Sequence, residues 1–153
     1  MTHYWLMKSE PQECSIDDAL AEPKQTVPWI GVRNYQARNF MRDGMQLGDG
    51  VLFYHSSCAE PGIAGTARVA SSAKPDPTQF DAKSPYFDAT AKPAEPRWML
   101  VDVQALRKTR MLNLPELRAV AALADMLLLK KGNRLSITPV SATHWLIIGN
   151  LVK

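Results

Sequence analysis

Short apolar runs, each bounded by turn residues, recur along the chain and predict a protein built largely from short strands. Such runs occupy residues 3–8, 51–54, 62–70, 97–104 and 143–148, and the last is expected to close the sheet. Because regular helical crossovers do not separate these runs, the pattern disfavours a doubly wound fold. It favours an α+β fold, a small and mostly antiparallel β-barrel with helices over its ends.

Three segments carry helical signals instead. Ser15 and Asp18 have the spacing of a capping box, which predicts a short helix over residues 15–20. Apolar spacing predicts a second helix over residues 34–43. A proline in the first turn after a capping asparagine predicts a third over residues 113–124.

Residues 74–96 hold five of the eleven prolines, together with Phe80, Tyr86 and Phe87. A flexible linker would not usually carry three large aromatic side chains, so we expect an ordered loop packed on the body. The chain of 153 residues has no internal repeat and is the size of one domain. We therefore expect a single domain over residues 1–153.

Composition excludes several classes of protein. Hydrophobic residues make up 46% and charged residues 22% of the chain, which is too apolar for a disordered protein. No apolar stretch is long enough for a membrane helix, and Lys8 and Glu10 interrupt the N-terminal run, unlike a signal peptide. Cys14 and Cys58 lie far apart without clustered histidines, which disfavours a zinc site or a disulfide scaffold. We expect a cytoplasmic monomer without cofactor, metal or membrane association.

Charge is distributed unevenly along the chain. Residues 1–30 carry two basic and five acidic side chains, whereas residues 97–153 carry nine basic and three acidic ones. A basic C-terminal third indicates a polyanionic partner, although solvated lysines and arginines on an ordinary surface explain it equally simply.

The segment 28–42 is the densest in candidate chemistry, because it combines three arginines with several amides and aromatic rings and has no acid. On a helix, Arg38 and Arg42 share one face, which suits two phosphates of a nucleic-acid backbone. Trp29 and Asn34 flank the helix start, where free backbone amides attract anions or a base edge. The alternative is that the rings belong to the core and the arginines to the surface.

Two further polar clusters each follow an apolar strand. Lys8, Ser9 and Glu10 come directly after the first strand, and residues 54–56, Tyr-His-Ser, end another. Polar groups at strand ends often line a site, but Ser9 in a turn and a structural histidine are the simpler alternatives. Neighbouring strand residues face opposite sides, so the histidine and the following serine cannot easily pair for nucleophilic catalysis. With no GxSxG motif and only scattered acids, we predict no catalytic and no metal-binding residues.

Five segments together resemble the EVE domain family. They are residues 4–11, 29–39, 48–56, 75–80 and 134–136, and the resemblance that they carry extends in order over nearly the whole chain. The family resembles the wider PUA-like group, which includes the YTH and ASCH domains and is similar in plan to the SRA domain. The resemblance implies a PUA-like barrel that reads a modified base, such as 5-methylcytosine or a modified RNA base, in DNA or RNA without altering it.

The resemblance falls on residues already singled out and implies their roles. Those expected to bind or enclose the base are Lys8, Ser9, Glu10, Trp29, Val32, Asn34, Tyr54, His55 and Ser56. Those expected to meet phosphates are Arg33, Arg38 and Arg42. Within this set, the tryptophan would stack on the base or wall the pocket, and the tyrosine and histidine would line its floor. Trp98 and Trp145 are expected in the core.

Two alternatives from other functional classes remain at this point. One is an enzyme acting on modified nucleotides, with His55 or Glu10 as general base, although no nucleophile stands beside a partnered base. The other is a protein-interaction module whose proline-rich loop 74–96 docks a partner.

Overall fold

The computed structural model describes residues 2–153 and has a mixed sheet as its body. The strands are β1 (Tyr4–Ser9), β2 (Thr26–Pro28), β3 (Gly50–His55), β4 (Gly62–Val69), β5 (Lys74–Pro75), β6 (Met99–Leu100), β7 (Asp102–Asn113) and β8 (Ile137–Val140). Six of them form one sheet in the order β2-β7-β4-β3-β1-β8, and β5 pairs with β6 in a small ribbon. The edge strands of the large sheet are therefore β2 and β8.

One pair in the large sheet, β1 with β3, is parallel, and the other pairs are antiparallel. In the parallel register, Lys8 lies opposite Tyr54 and Ser9 opposite His55. Pairing continues past the strand ends, since the amide of Ser56 donates to the carbonyl of Ser9 at 3.0 Å. Because parallel strands end at the same edge, two of the three sequence clusters meet there.

The helices are α1 (Pro11–Cys14), α2 (Ile16–Ala21), α3 (Tyr35–Asn39), α4 (Leu114–Ala119) and α5 (Ala142–Leu151). The predicted capping box is confirmed, because the Ser15 hydroxyl accepts from the Asp18 amide while the Asp18 carboxylate accepts from Ser15. The predicted second helix begins at α3 and continues as a π-helical turn, Phe40–Gly44. None of the helices within residues 2–153 is long and apolar enough to cross a membrane.

Three predicted elements differ from the structure in their type or their bounds. Residues 143–148 are helical rather than a closing strand, because Ser141 caps α5 by accepting from the amide of His144 at 3.1 Å. The strand that joins β1 at this edge is β8, which precedes that helix. The strand predicted over 97–104 divides, and β7 runs on to Asn113. Helix α4 ends at Ala119 instead of continuing to residue 124.

Apolar side chains pack on both faces of the sheet, as the strand alternation requires. Trp5 and Met7 of β1 join one buried cluster, which includes Phe53 and Trp29, whereas Leu6 joins the other. The second cluster is covered by the C-terminal helices. Burial on both faces confirms the predicted α+β class with a mostly antiparallel sheet flanked by helices.

The proline-rich loop is ordered and packed on the body, as predicted. Asp76 and Gln79 are fully buried within it. The Gln79 amide donates to the carbonyls of Asp76 and Trp98 at 2.7 Å, and its oxygen accepts from the amide of Trp98 at 2.9 Å. A buried amide with these partners joins the loop to the strand region that follows it.

Candidate nucleic-acid interface

A cavity of about 690 Å³ opens between the two edge strands of the sheet. Val27 and Pro28 of β2 line one side, and Ser136, just before β8, lines another. The rest of the lining is contributed by residues 8–10, 13–14, 22, 29–33, 56–57, 86 and 134. Three segments distant in sequence, each of them singled out by its polar and aromatic residues, thus meet around one cavity.

The cavity includes some of the predicted base-binding residues and leaves others outside. Those in the lining are Lys8, Ser9, Glu10, Trp29, Val32 and Ser56, together with the predicted phosphate ligand Arg33. Those outside it are Asn34, Tyr54, His55, Arg38 and Arg42.

Trp29 and Val32 form an apolar wall that belongs to the cavity and to the core at once. Their exposed fractions are 7% and 6%. The indole packs edge-on against Phe53 with ring centroids 5.3 Å apart, and the Trp29 amide donates to the carbonyl of Val101 at 3.0 Å. The two roles considered for Trp29, pocket wall and core residue, are therefore compatible.

Tyr54 and His55 do not form the floor of the cavity, contrary to the prediction. The Tyr54 side chain enters the second core cluster, where burial raises the pKa of its hydroxyl. On the other face of the strand, His55 Nε2 accepts from the amide of Ile16 at 3.1 Å. Burial lowers the pKa of His55 and favours the neutral ring that can accept this bond. His55 thus holds the start of α2, which is the simpler alternative considered for it.

Arg33 is occupied by internal partners rather than free for a phosphate. Its guanidinium contacts Asp76 Oδ2 at 3.1 Å and Thr78 Oγ1 at 3.0 Å. It also donates to the carbonyl of Tyr86 at 2.7 and 3.1 Å. Asp76 is fully buried, so the arginine supplies the positive charge that this carboxylate requires. The structure therefore gives Arg33 the role of fixing the loop 74–96 against residues 29–33.

Asn34 also has a structural role where a base contact was expected. Its side-chain oxygen accepts from the amide of Ala37 at 3.0 Å and caps α3. The capping bond fixes the direction of this side chain, which lies outside the lining of the cavity.

Arg38 and Arg42 line a second depression of about 450 Å³, as expected of two residues that share a helix face. Arg38 donates to the carbonyl of Arg97 at 2.9 Å, and Arg42 pairs with its neighbour Asp43 at 2.9 Å. Lys92 lies in the same lining. The lining also holds Arg97 and the acid Glu95, so it contains four basic side chains and one acidic one. The carboxylate of Asp43 beside the depression offsets the charge of Arg42.

An aromatic pair borders this second depression. Tyr35 is half exposed and stacks on the buried Trp98, with ring centroids 4.9 Å apart. The indole nitrogen of Trp98 donates to Asp88 Oδ2 at 2.8 Å. The expectation that Trp98 belongs to the interior is confirmed. Trp145 is half-buried, stacks on Tyr4 and packs against the second core cluster.

The polar end of β1 contributes a lysine and a serine to the cavity. Burial lowers the pKa of the Lys8 ammonium, whose nitrogen lies 5.9 Å from the ring centroid of Tyr54. The Ser9 hydroxyl donates to the carbonyl of Cys14 at 2.6 Å. This bond joins the end of β1 to the end of α1, so Ser9 shapes the rim of the cavity.

Sequence reasoning missed Tyr86 and Glu13, which close one side of the cavity. The Tyr86 hydroxyl donates to the Glu13 carboxylate at 2.5 Å, and burial together with this bond raises the pKa of Tyr86 to about 12. Its ring lies against Gly31, whose amide donates to Asp76 Oδ2 at 2.8 Å. The available signal was the group of aromatic residues in the proline-rich loop. It indicated that the loop packs on the body, but not which part of the body it contacts.

The fold defined here, a mostly antiparallel sheet with flanking helices and a cavity at its open edge, is of the PUA-like class. An ASCH protein from Zymomonas mobilis shares it with a TM-score of 0.56 at 11% identity, a likeness of fold alone. The EVE domain model matches residues 3–151. The chain belongs to the EVE domain family.

Relatives with known sequences or structures agree with this assignment. Human thymocyte nuclear protein 1 is 43% identical over 159 residues, which cover 92% of this chain and 70% of the relative. The mouse protein is 47% identical over 77% of this chain and 56% of its own length. A Pseudomonas putida crystal structure is 48% identical, with a TM-score of 0.92 over 97% of this chain and 98% of that one.

Human THYN1 protein has a crystal structure in complex with DNA that contains 5-methylcytosine. It is 42% identical to this chain, with a TM-score of 0.92 over 98% of this chain and 97% of that chain.

Proposed function

We propose that this chain is a non-catalytic nucleic-acid-binding domain that holds one modified base in the cavity between its edge strands. The observation that carries the proposal is the convergence of residues 8–10, 29–33 and 56–57 on that cavity. The human relative crystallised with 5-methylcytosine DNA supports a modified cytosine as the ligand. The nucleic acid is DNA or RNA, and the chain acts as a monomer in the cytoplasm.

The energetics of base capture suit this cavity. Extruding a base from its stack costs a few kcal/mol, and stacking on an aromatic side chain returns roughly 1–3 kcal/mol. The wall formed by Trp29 and Val32 offers such a surface, and its burial keeps it in place before the base arrives. A methyl group buried there adds about 0.8 kcal/mol, which is roughly a fourfold preference over the unmodified base.

The hydrogen bonding of His55 and the pKa shifts of His55 and Cys14 support binding over catalysis. His55 Nε2 already accepts a backbone hydrogen bond, and burial lowers the pKa of the ring. Cys14 lines the cavity, but burial and the nearby carboxylates of Asp18 and Glu22 raise the pKa of its thiol. A thiol with a raised pKa is a poor nucleophile at neutral pH.

Phosphates of the bound strand are proposed to lie at the second depression, where Arg38, Arg42 and Lys92 lie close together. Contacts of this kind supply affinity that depends strongly on salt and carry no sequence information. Arg33 is not included, because its charge is neutralised by the fully buried carboxylate of Asp76. Arg38 bonds neutral groups only, and the carboxylate that pairs with Arg42 is exposed.

The test is a titration of fluorescent oligonucleotides that differ only in one base. DNA and RNA strands carrying 5-methylcytosine or cytosine at one position are compared at a single salt concentration. We expect about fourfold tighter binding of a methylated strand, since one methyl group is buried. Equal affinity for every modified and unmodified strand would contradict the proposal. Incubation with modified nucleosides followed by mass spectrometry checks that no product forms.

A further inference from the structure

The cavity is lined by as many acids as bases, which is unusual for a site offered to a polyanion. The basic residues in its lining are Lys8, Arg33 and Arg134, and the acidic residues are Glu10, Glu13 and Glu22. Carboxylates repel a phosphate, so the cavity suits the uncharged part of a nucleotide. A carboxylate is also an acceptor without a donor, and it therefore favours ligands that present N–H groups.

Glu13 differs from the other two carboxylates because it is held in place. The Tyr86 hydroxyl donates to it at 2.5 Å. Within residues 2–153, the side chains of Glu10 and Glu22 have no hydrogen-bond partner. The hydroxyl lies 2.5 Å from both oxygens of Glu13. A carboxylate has about four acceptor positions, so lone pairs on Glu13 remain for a ligand.

Tyr86 is itself fixed at two points besides its bond to Glu13, which makes it a rigid support for that carboxylate. Its carbonyl accepts two bonds from the Arg33 guanidinium at 2.7 and 3.1 Å. Its ring lies on Gly31, and its hydroxyl is bound to Glu13. A group held by such supports keeps its direction when a ligand enters, so little free energy is lost in ordering it.

We propose that Glu13 determines specificity by accepting a hydrogen bond from the exocyclic amino group of the captured base, with Tyr86 as the residue that positions it. The ligands preferred are therefore bases with an amino group on the pairing edge, as in the cytosine and adenine classes. This inference rests on the proposed function, because it assumes that a base enters the cavity.

Thymine and uracil, which have no exocyclic amino group, fit poorly for an equally simple reason. Thymine carries an oxygen where 5-methylcytosine carries the amino group, and the two share the same 5-methyl group. An oxygen placed against Glu13 brings two acceptors together and leaves both without a donor. The two bases also differ at N3, which accepts in 5-methylcytosine and donates in thymine, so the pair tests the hydrogen-bond pattern of the pairing edge while the methyl contact stays constant.

The experiment compares 5-methylcytosine, cytosine and thymine at one position of otherwise identical single strands, so that no pairing energy differs between probes. We expect the protein to bind the 5-methylcytosine strand roughly tenfold to hundredfold more tightly than the thymine strand. In Glu13→Gln the amide can donate to the thymine oxygen, so the ratio should fall to about threefold or less. Glu60→Gln, the same change outside the cavity, should leave the ratio unchanged.

Tyr86→Phe keeps the ring on Gly31 and removes the bond to Glu13, so it should lower the ratio while the variant melts as a folded protein. The inference is overturned if Glu13→Gln retains the full ratio, or if Glu22→Gln removes it instead. Equal binding of 5-methylcytosine and thymine strands, both tighter than cytosine, would also overturn it while leaving the proposed function intact. Equal binding of all three would reject both.

Discussion

The ring of Tyr86 lies so close to Gly31 that a β-carbon at position 31 would fall 2.7 Å from Tyr86 Cζ. The backbone of Gly31 has a φ of +83°, which side chains other than glycine rarely adopt. Residue 31 thus lets an aromatic side chain from a loop more than fifty positions away reach the cavity. Glycine is required there for two reasons, the conformation of the backbone and the close contact with the ring.

Gly31→Ala should therefore be destabilising through two effects that can be separated. The left-handed backbone alone costs roughly 1–2 kcal/mol for a residue with a β-carbon. Gly132→Ala is the matched control, because Gly132 has a φ of +79° and nothing within 4 Å of the added carbon. Urea unfolding should show the larger loss for Gly31→Ala. Equal losses would mean that Tyr86 moves aside freely.

Asp76→Asn should destabilise the protein strongly, because Asp76 is the buried acceptor for the Gly31 amide and the Arg33 guanidinium. Removing one charge of a buried pair typically costs about 3–5 kcal/mol. Asp102→Asn is the control, since its pair with Lys74 at 2.7 Å is exposed and such pairs contribute under about 1 kcal/mol. Similar melting temperatures for the two variants would contradict this reading of Asp76.

His55 should make stability depend on pH in a defined direction. Burial lowers the pKa of His55 in the folded protein below its ordinary value of about 6.5. The unfolded chain therefore binds the proton more readily, and the contribution of His55 is complete above pH 6.5 and is lost as the pH falls toward the folded pKa. His55→Gln keeps an acceptor for the Ile16 amide but does not titrate.

The measurement is the free energy of unfolding of both proteins from about pH 5 to pH 8. The difference between wild type and His55→Gln should shrink or reverse as the pH falls through this window. His3→Gln, an exposed histidine, serves as the control. A difference that stays constant across the window would show that His55 binds protons equally in the folded and unfolded states.

Trp29→Ala should unfold the protein more easily and Trp29→Phe should do so much less. Truncating a buried tryptophan costs about 3–5 kcal/mol, and Trp29 is only 7% exposed. The phenylalanine keeps an aromatic wall beside Phe53, so we expect the folded variant to retain preference for a modified strand. A thermal melt and a titration at matched salt separate the two effects. Normal binding by folded Trp29→Ala would leave Trp29 a core residue only.

Replacing Arg38 and Arg42 together with glutamine should weaken binding to all strands about equally. If each contacts one phosphate, the slope of affinity against salt should fall by roughly 0.7–0.9 per contact. Arg110→Gln, outside both depressions and paired with Glu116, is the control. An unchanged slope in the double variant would assign these arginines to ordinary surface.

Local signals in the sequence were sufficient for much of the fold. The capping box at Ser15 and the capping asparagines at positions 34 and 113 each act within three residues, so the helix starts were predicted correctly. The helix α5 was misread because four apolar residues in a row, Trp145 to residue 148, suit a buried strand as well as a helix. The cap at Ser141 was the signal that decides between them.

The site was only partly predictable for a different reason. Strand ends and motif positions located the cavity, but the partner of each polar side chain is decided by tertiary contacts. Arg33 has its guanidinium bound by residues more than forty positions away, and His55 bonds an amide thirty-nine positions back. A sequence shows that such groups are polar and near a site, and it does not show whether an internal partner already occupies them.

The amide of Lys8 donates to the carbonyl of Ser136 at 2.8 Å, and β8 pairs with β1, the first strand of the chain. During synthesis the first strand leaves the ribosome long before its partner exists. The cavity therefore cannot close until the chain has emerged as far as β8, and until then the edge of β1 is open to other pairings. A nascent chain halted before residue 134 should bind no base, even with every other wall residue present.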